Sequence, residues 1–209
     1  MVEERRAGFY FVGERLCLDF VNTQLVENGN AVDLLGSFDD LVAWCAAAHA
    51  VDSGQAKQLL SQWSGTRDGE RAFGHAVQLR AAVRGMAERL AAGRAVPRAT
   101  LDAINEVLRT RAGYFEVAPR KDGYEKRFRP DFSEPAQVLV PVAESVADLL
   151  GGDNLQLIRK CQNPRCILYF YDATKNHARR WCSMSACGNR AKVAAHYKRA
   201  RRPTPVVAR

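Results

Sequence analysis

The residues best placed to do chemistry are four cysteines near the C-terminal end, in "CQNPRCILYFYDATKNHARRWCSMSAC". Cys161 with Cys166 and Cys182 with Cys187 form two Cys-x4-Cys pairs, separated by fifteen residues. Each pair on a tight turn brings two thiolates to one ion. Pro164 suits the first turn, and Gly188 is expected to free the backbone just after the second. Four thiolates at tetrahedral positions match one closed structural Zn²⁺ site, with Zn–S near ~2.3 Å. A closed shell leaves no position for a reacting water, so the expected role is structural and the chain is not expected to be an enzyme. An iron–sulfur cluster is chemically open to the same ligands, and four unrelated buried thiols are the bland alternative. His177 and His196 stay outside the shell because four cysteines fill it. Cys17 and Cys45 lie in apolar contexts and read as small core residues.

Charge gives the cysteines a context. The chain has 209 residues, 47% hydrophobic, with a net charge of +8. Residues 1–158 carry 18 Lys+Arg against 22 Asp+Glu, whereas residues 159–209 carry 13 against the single Asp172. The last quarter is therefore +12 and the rest −4. Mixed signs are the norm on a solvated surface, so this segregation points to a polyanionic partner, with nucleic acid the first candidate. No stretch reads as a signal peptide or a membrane span. The expected location is the cytoplasm, where six cysteines are thiols or metal ligands rather than disulfides.

Helices and hairpins must position this chemistry. Ser37 with Asp40 resembles a capping box, and Phe38, Leu41, Cys45 and Ala48 follow on one helical face. Ser53 is expected to cap the next helix, with Ala56, Leu59, Leu60 and Trp63 inward. The longest helix is expected over about 68–92, with an apolar stripe of Ala72, Ala76, Leu79, Val83, Met86 and Leu90. Gly74 and Gly85 inside it cost roughly 1 kcal/mol each against alanine and suggest a close helix crossing. Pro97 suits the first turn of a further helix carrying Leu101, Ile104 and Leu108. "YFEVAPRKDGYEKRFRP" reads as a β-hairpin turning at Asp122-Gly123. A last helix of this half lies between Ser133 and Leu150, with a kink expected at Pro141. "GGDN" at 151–154 is the best domain boundary. Beyond it, Ile167–Tyr171 read as a strand and Asp172–Asn176 as a turn, giving a hairpin between the cysteine pairs. The second pair then runs into "GNRAKVAAHYKRAR", a strong helix former. Knuckle, hairpin and knuckle at a helix start form a treble-clef order, and metal would supply the stability that so small a lobe lacks.

These residues resemble a known family. "CxNPxC", "YFYDATKN", "RRWCSM" and "CGNRAKV", in order over about residues 159–200, look like the CGNR zinc finger of bacterial transcription regulators. Thr174, Lys175 and His177 depart from the Ser and Arg residues expected in the hairpin turn. In that family the finger follows an N-terminal ABATE domain, and "GERLCLDFVNT" at 13–23 is similar to that domain's opening motif. The resemblance implies an ABATE-like domain over 1–154 and a CGNR treble-clef finger over 155–209. It implies a DNA-binding role linked to stress, behind a domain that binds a ligand or dimerises.

The expected fold class is thus α+β, a mostly helical N-terminal domain with a small sheet followed by the zinc finger. The expected nucleic-acid contacts are Arg179, Arg180, Asn189, Arg190, Lys192, Lys198, Arg199 and Arg201. Arg190, early in the helix, is the candidate to read a base edge in the major groove. Most of the others would hold phosphates. Bland alternatives stand beside these. Asn189 would cap the helix or brace the knuckle, Arg190 would pair with Asp172, and Trp181 would be core. Val193 and Ala200 are expected to pack on the hairpin. Asp19, Asn22 and Thr23 are the candidate residues for a small-molecule effector, or else they satisfy buried backbone. The expected partners are DNA, an effector and a second copy, with no membrane. Rival readings are an RNA- or ribosome-associated zinc protein, a protein-interaction module for an acidic partner, and a nuclease using His177, Asn189 and His196. No acidic metal cluster accompanies the nuclease residues.

Overall fold

A computed structural model describes residues 5–200, with side chains described as far as Tyr197. The chain opens with a minimal hairpin, β1 (Arg5–Arg6) and β2 (Phe9–Tyr10). Helix α1 (Leu16–Val21) follows and buries Cys17, Leu18, Phe20 and Val21. A second hairpin, β3 (Gln24–Glu27) with β4 (Asn30–Asp33), leads to α2 (Phe38–Ala47). Ser37 caps α2 as expected, its Oγ accepting from the Asp40 N–H at 3.1 Å. The next helix, α3 (Ser53–Trp63), is capped one residue earlier than the sequence suggested. Asp52 accepts from the Gln55 N–H, and the Gln55 side chain accepts from the Asp52 N–H, both at 2.8 Å. This reciprocal box satisfies two orphan donors at once, which Ser53 alone does not.

Helix α4 (Arg67–Ala91) is the axis of the core. Its stripe of Ala72, Ala76, Leu79, Val83 and Met86 is buried against α1, α2 and α5 (Arg98–Arg109). The expected crossing at Gly74 and Gly85 is absent, since nothing lies within 4 Å of a Cβ at either position. The close approach is at Gly69, where a Cβ would sit 2.3 Å from the Trp63 carbonyl oxygen. Pro97 is the N-cap of α5 rather than a residue of its first turn.

Strands β5 (Gly113–Arg120) and β6 (Gly123–Pro130) form the predicted hairpin and, among the described residues, pair only with each other. A 3-10 turn at Pro135–Leu139 then runs into α6 (Val140–Gly152), with Pro141 in the first turn, where its missing N–H costs nothing. Strands β7 (Ile158–Lys160) and β8 (Tyr169–Tyr171) pair antiparallel, and helix α7 (Asn189–Ala200) ends the described chain. The fold is α+β, with helices predominating and each sheet two-stranded among the described residues.

The core does not stop at residue 154. Leu157, Ile158, Tyr169 and Tyr171 belong to the same buried cluster as α1, α2, α4 and α6. The strands that carry the first cysteine pair are thus built into the main core.

Candidate metal centre

The first cysteine pair sits at the tip of the β7–β8 hairpin. This pairing differs from the hairpin expected between the two cysteine pairs: the partner of Tyr169–Tyr171 precedes Cys161 instead of following Asn176. The Cys161 N–H donates to the Leu168 carbonyl at 2.9 Å and closes the tip. Inside it Asn163 forms a local turn, its Oδ1 accepting from the Arg165 N–H at 3.1 Å and its carbonyl from the Cys166 N–H at 2.9 Å.

The second pair sits on a wide helical turn, Met184–Gly188, which passes directly into α7. Ser183 caps that turn through the Ala186 N–H. Gly188 does not adopt a left-handed backbone, and the Met184 side chain beside it is exposed. A Cβ there would lie 2.8 Å from the Met184 sulfur.

The two turns bring all four Sγ atoms within 4.8 Å of one another. Cys166 and Cys182 Sγ are 3.8 Å apart. A tetrahedral ion with ~2.3 Å bonds to sulfur has edges of about 3.8 Å. Cys161, Cys182 and Cys187 are buried and Cys166 is half-buried. Hydrogen bonds of the kind that orient ligands are in place. Asn163 Nδ2 donates to Cys187 Sγ at 3.2 Å, and the Cys182 N–H to Cys161 Sγ at 3.4 Å. The Cys166 and Cys182 thiols pull Cys161 far down, and Cys161 in turn pushes both of theirs up. Four sulfurs this close do not all ionise without a cation among them. The donor set fits Zn²⁺, and the centre holds one structural zinc. Cys17 and Cys45, by contrast, are buried thiols pushed up to about 11 and about 12 by desolvation, suited to packing.

The lobe is locked to the helical core by polar contacts that its sequence neighbours do not supply. Asn22 is fully buried and pairs with the Tyr169 backbone on both sides, donating to its carbonyl at 2.8 Å and accepting from its N–H at 3.0 Å. The Tyr171 N–H donates to Gly13 O at 2.9 Å. Arg84 of α4 donates to Ile167 O and to Val21 O. Arg179 donates to Val12 O at 2.8 Å, Cys182 O at 2.5 Å and Trp181 O at 3.1 Å. It also pairs with Glu14 and lies over the Phe170 ring.

Other expected site residues fall as follows. Asp172 is buried and holds its own turn. Burial alone would raise its carboxyl, but hydrogen bonds from the Thr174 hydroxyl and the Arg179 and Thr174 N–H groups bring it below the usual range. Its partners are these groups, so the alternative pairing with Arg190 is not formed. Arg190 is exposed and lines a groove of about 290 Å³ beside the cysteines, with Arg5, Arg165, Val12, Leu25 and Leu168. Arg180 is exposed, bonded to Gln162 and stacked near Trp181, which is half-buried. The Asn189 amide donates to Ser185 O at 3.2 Å, bracing the turn as its bland reading had it. Lys192 is exposed. Val193 is 55% exposed and does not pack on the hairpin. For Lys198, Arg199 and Ala200 only the backbone is described, and Arg201 lies outside the described residues. Thr23 is buried, donating to Phe20 O and accepting from Arg80. Of the three effector candidates, Asp19 reaches a cleft, an opening of about 1020 Å³ shared with Lys175, Arg180 and Trp181. Its carboxyl is pushed up to about 7 by burial, against the N–H groups of Gly13 and Val12 that hold it down.

Sequence reading missed Arg80, Arg84, Arg5 and Arg165. A buried arginine, Arg80, and a half-buried one, Arg84, carry no periodic signal on α4. One clue existed for Arg80: it interrupts the polar face beside Leu79 and Val83, and Asp33 and Thr23 supply its partners.

Comparison with known families agrees with this geometry. Residues 14–153 match the ABATE family model, described as "Putative stress-induced transcription regulator". The chain belongs to the ABATE family. Residues 158–200 of this ABATE protein match the CGNR zinc finger model. The four cysteines and α7 lie within that second match. No curated protein matches the chain. Among the described residues, no helix of this ABATE protein is long and apolar enough to cross a membrane.

Proposed function

We propose that the chain is a cytoplasmic DNA-binding transcription regulator whose zinc-held lobe offers α7 to duplex DNA. The observation that carries this reading is the state of α7. It starts two residues after Cys187 Sγ enters the centre. From Asn189 to Tyr197 it is exposed apart from the half-buried Ala191. A helix with no apolar face against its own protein gains nothing from packing, and this one continues into the most basic part of the chain. The metal fixes the first turn, so the helix leaves the body in a defined direction. A helix of this diameter fits the major groove. Lys192, Lys198, Arg199 and Arg201 are the proposed phosphate contacts, Arg190 the base reader, and Arg180 a flanking contact. Arg179 and Asn189 act differently, holding the second knuckle so that α7 keeps its aim.

The division at 154 is a division of labour rather than of stability. Residues 1–154 would sense an effector in the cleft beside Asp19, and 155–209 would bind DNA. The shared core and the Asn22–Tyr169 pair supply a route by which one affects the other. RNA is the second reading, favoured by the exposed aromatic Tyr197 on α7. Binding of labelled duplex DNA, competed by unlabelled duplex or structured RNA at matched salt, decides between them. Displacement by RNA alone would reject the DNA reading.

A further inference from the structure

The β5–β6 hairpin leaves its better face in water. Its register pairs Phe115 with Phe128, Val117 with Lys126 and Pro119 with Tyr124, so these six side chains share one face. Phe115 is 57% exposed, Val117 74% and Tyr124 81%. The opposite face carries Glu116 paired with Arg129 and Glu125 paired with Arg127, beside the buried Ala118 and, at one end, Tyr114. A polar face compensated within itself and an apolar face open to solvent is the reverse of what a lone ribbon in water requires. Two-stranded hairpins without a packed face are marginal.

Each edge of this ribbon is interrupted by a proline. The two-residue loop Lys121-Asp122 makes Arg120–Gly123 a hydrogen-bonded pair, and the pattern alternates from there. Pro119 and Pro130 then fall at positions where an N–H would point outward, one on each edge. Each edge lacks a donor, which blunts strand addition. The apolar face is the better docking surface.

We infer that the aromatic face of β5–β6 is a homodimer interface, covered by the same face of a second copy. Charge excludes nucleic acid as the occupant. The face holds one cation, Lys126, already lying 4.1 Å over the Phe115 ring. At the base, Arg111 lies over Phe128 and pairs with Glu144. A polyanion needs several uncompensated cations. A two-fold contact brings one Lys126 from each copy, each ammonium already engaged with its own Phe115 ring. Area agrees as well. At these exposures, with ~150–250 Å² for an aromatic residue, the face offers on the order of 500 Å² per copy. Two copies remove on the order of 1,000 Å², where specific interfaces begin.

Sedimentation velocity of the full zinc-loaded chain over rising concentration tests this without any DNA. The wild type should sediment as a dimer at micromolar concentration. Val117→Glu with Tyr124→Glu should be monomeric throughout, with zinc content and far-UV spectrum unchanged. Tyr114→Glu, on the opposite face, should dimerise like the wild type. A monomeric wild type would overturn the inference, and so would a double variant that still dimerises or a Tyr114→Glu chain that does not. Should the double variant lose its fold, Tyr124→Lys replaces it, because a side chain 81% exposed has little native packing to lose.

Discussion

Two hairpins of the same chain solve the same problem in opposite ways. Strands β7 and β8 are three residues each, and Tyr169, Phe170 and Tyr171 are all buried. Strands β5 and β6 are eight residues each, and most of their side chains are exposed. Length would favour the second, yet the first is the better held. Its tip closes on metal, its flank is hydrogen-bonded by Asn22, and its aromatics lie in two cores. The lesson is that a ribbon's stability lies in what covers it. The short one is covered from within. The long one is left for something outside the chain.

The largest effect should come from the metal. Cys182→Ser should take the protein from one zinc per chain to none. Zinc binding of ~10–16 kcal/mol is folding energy in such lobes. Because Tyr169 and Tyr171 belong to the main core, the loss should lower the melting temperature of the helical part as well. Metal analysis beside calorimetry checks both. A helical part melting at the wild-type temperature would show that the short hairpin is not built into the main core.

Asn22→Ala comes next. It strips both partners from the Tyr169 backbone and leaves a buried N–H and carbonyl unsatisfied, at a cost of about 4 kcal/mol by denaturant unfolding. The local part of this picture was legible in the sequence. Cysteine spacing, the Ser37 cap, the α4 stripe and the β5–β6 hairpin are local patterns, readable within a few residues. The Asn22–Tyr169 pair spans 147 positions and depends on how β8 lies against α1. The same holds for Arg179, whose type suggested a polyanion and whose position spends it on Val12 and Cys182. The β7–β8 pairing was misread because Ile158–Lys160 has only three residues and no period to show.

A smaller effect should depend on pH. Asp19 keeps its proton up to about 7 in the fold, against 3.8 for an ordinary Asp. Between those values the unfolded chain releases a proton that the folded chain retains. Stability should therefore fall as pH rises from about 4 to about 7, by on the order of 4 kcal/mol, and level off above. Asp19→Asn should flatten this fall, so that its melting temperature gains on the wild type between pH 5 and pH 8. A constant difference across that range would mean that Asp19 is ionised throughout.

The smallest effect is expected on the open hairpin. Val117→Thr, measured below the concentration at which copies associate, should change stability by no more than about 0.5 kcal/mol. A larger loss would mean that the long hairpin is covered within the chain after all.

The most direct test of the whole account is the affinity of the zinc-loaded chain for duplex DNA as a function of salt. With four to six phosphates engaged by α7 and its basic extension, log affinity against log salt should fall with a slope of about −4 to −5. Lys192→Ala should lessen that slope by about 1 on every sequence. Arg190→Ala should instead cost about 1–3 kcal/mol on the preferred site alone. A flat salt response of the wild type would contradict the account, leaving a metal-anchored helix with no polyanion to meet.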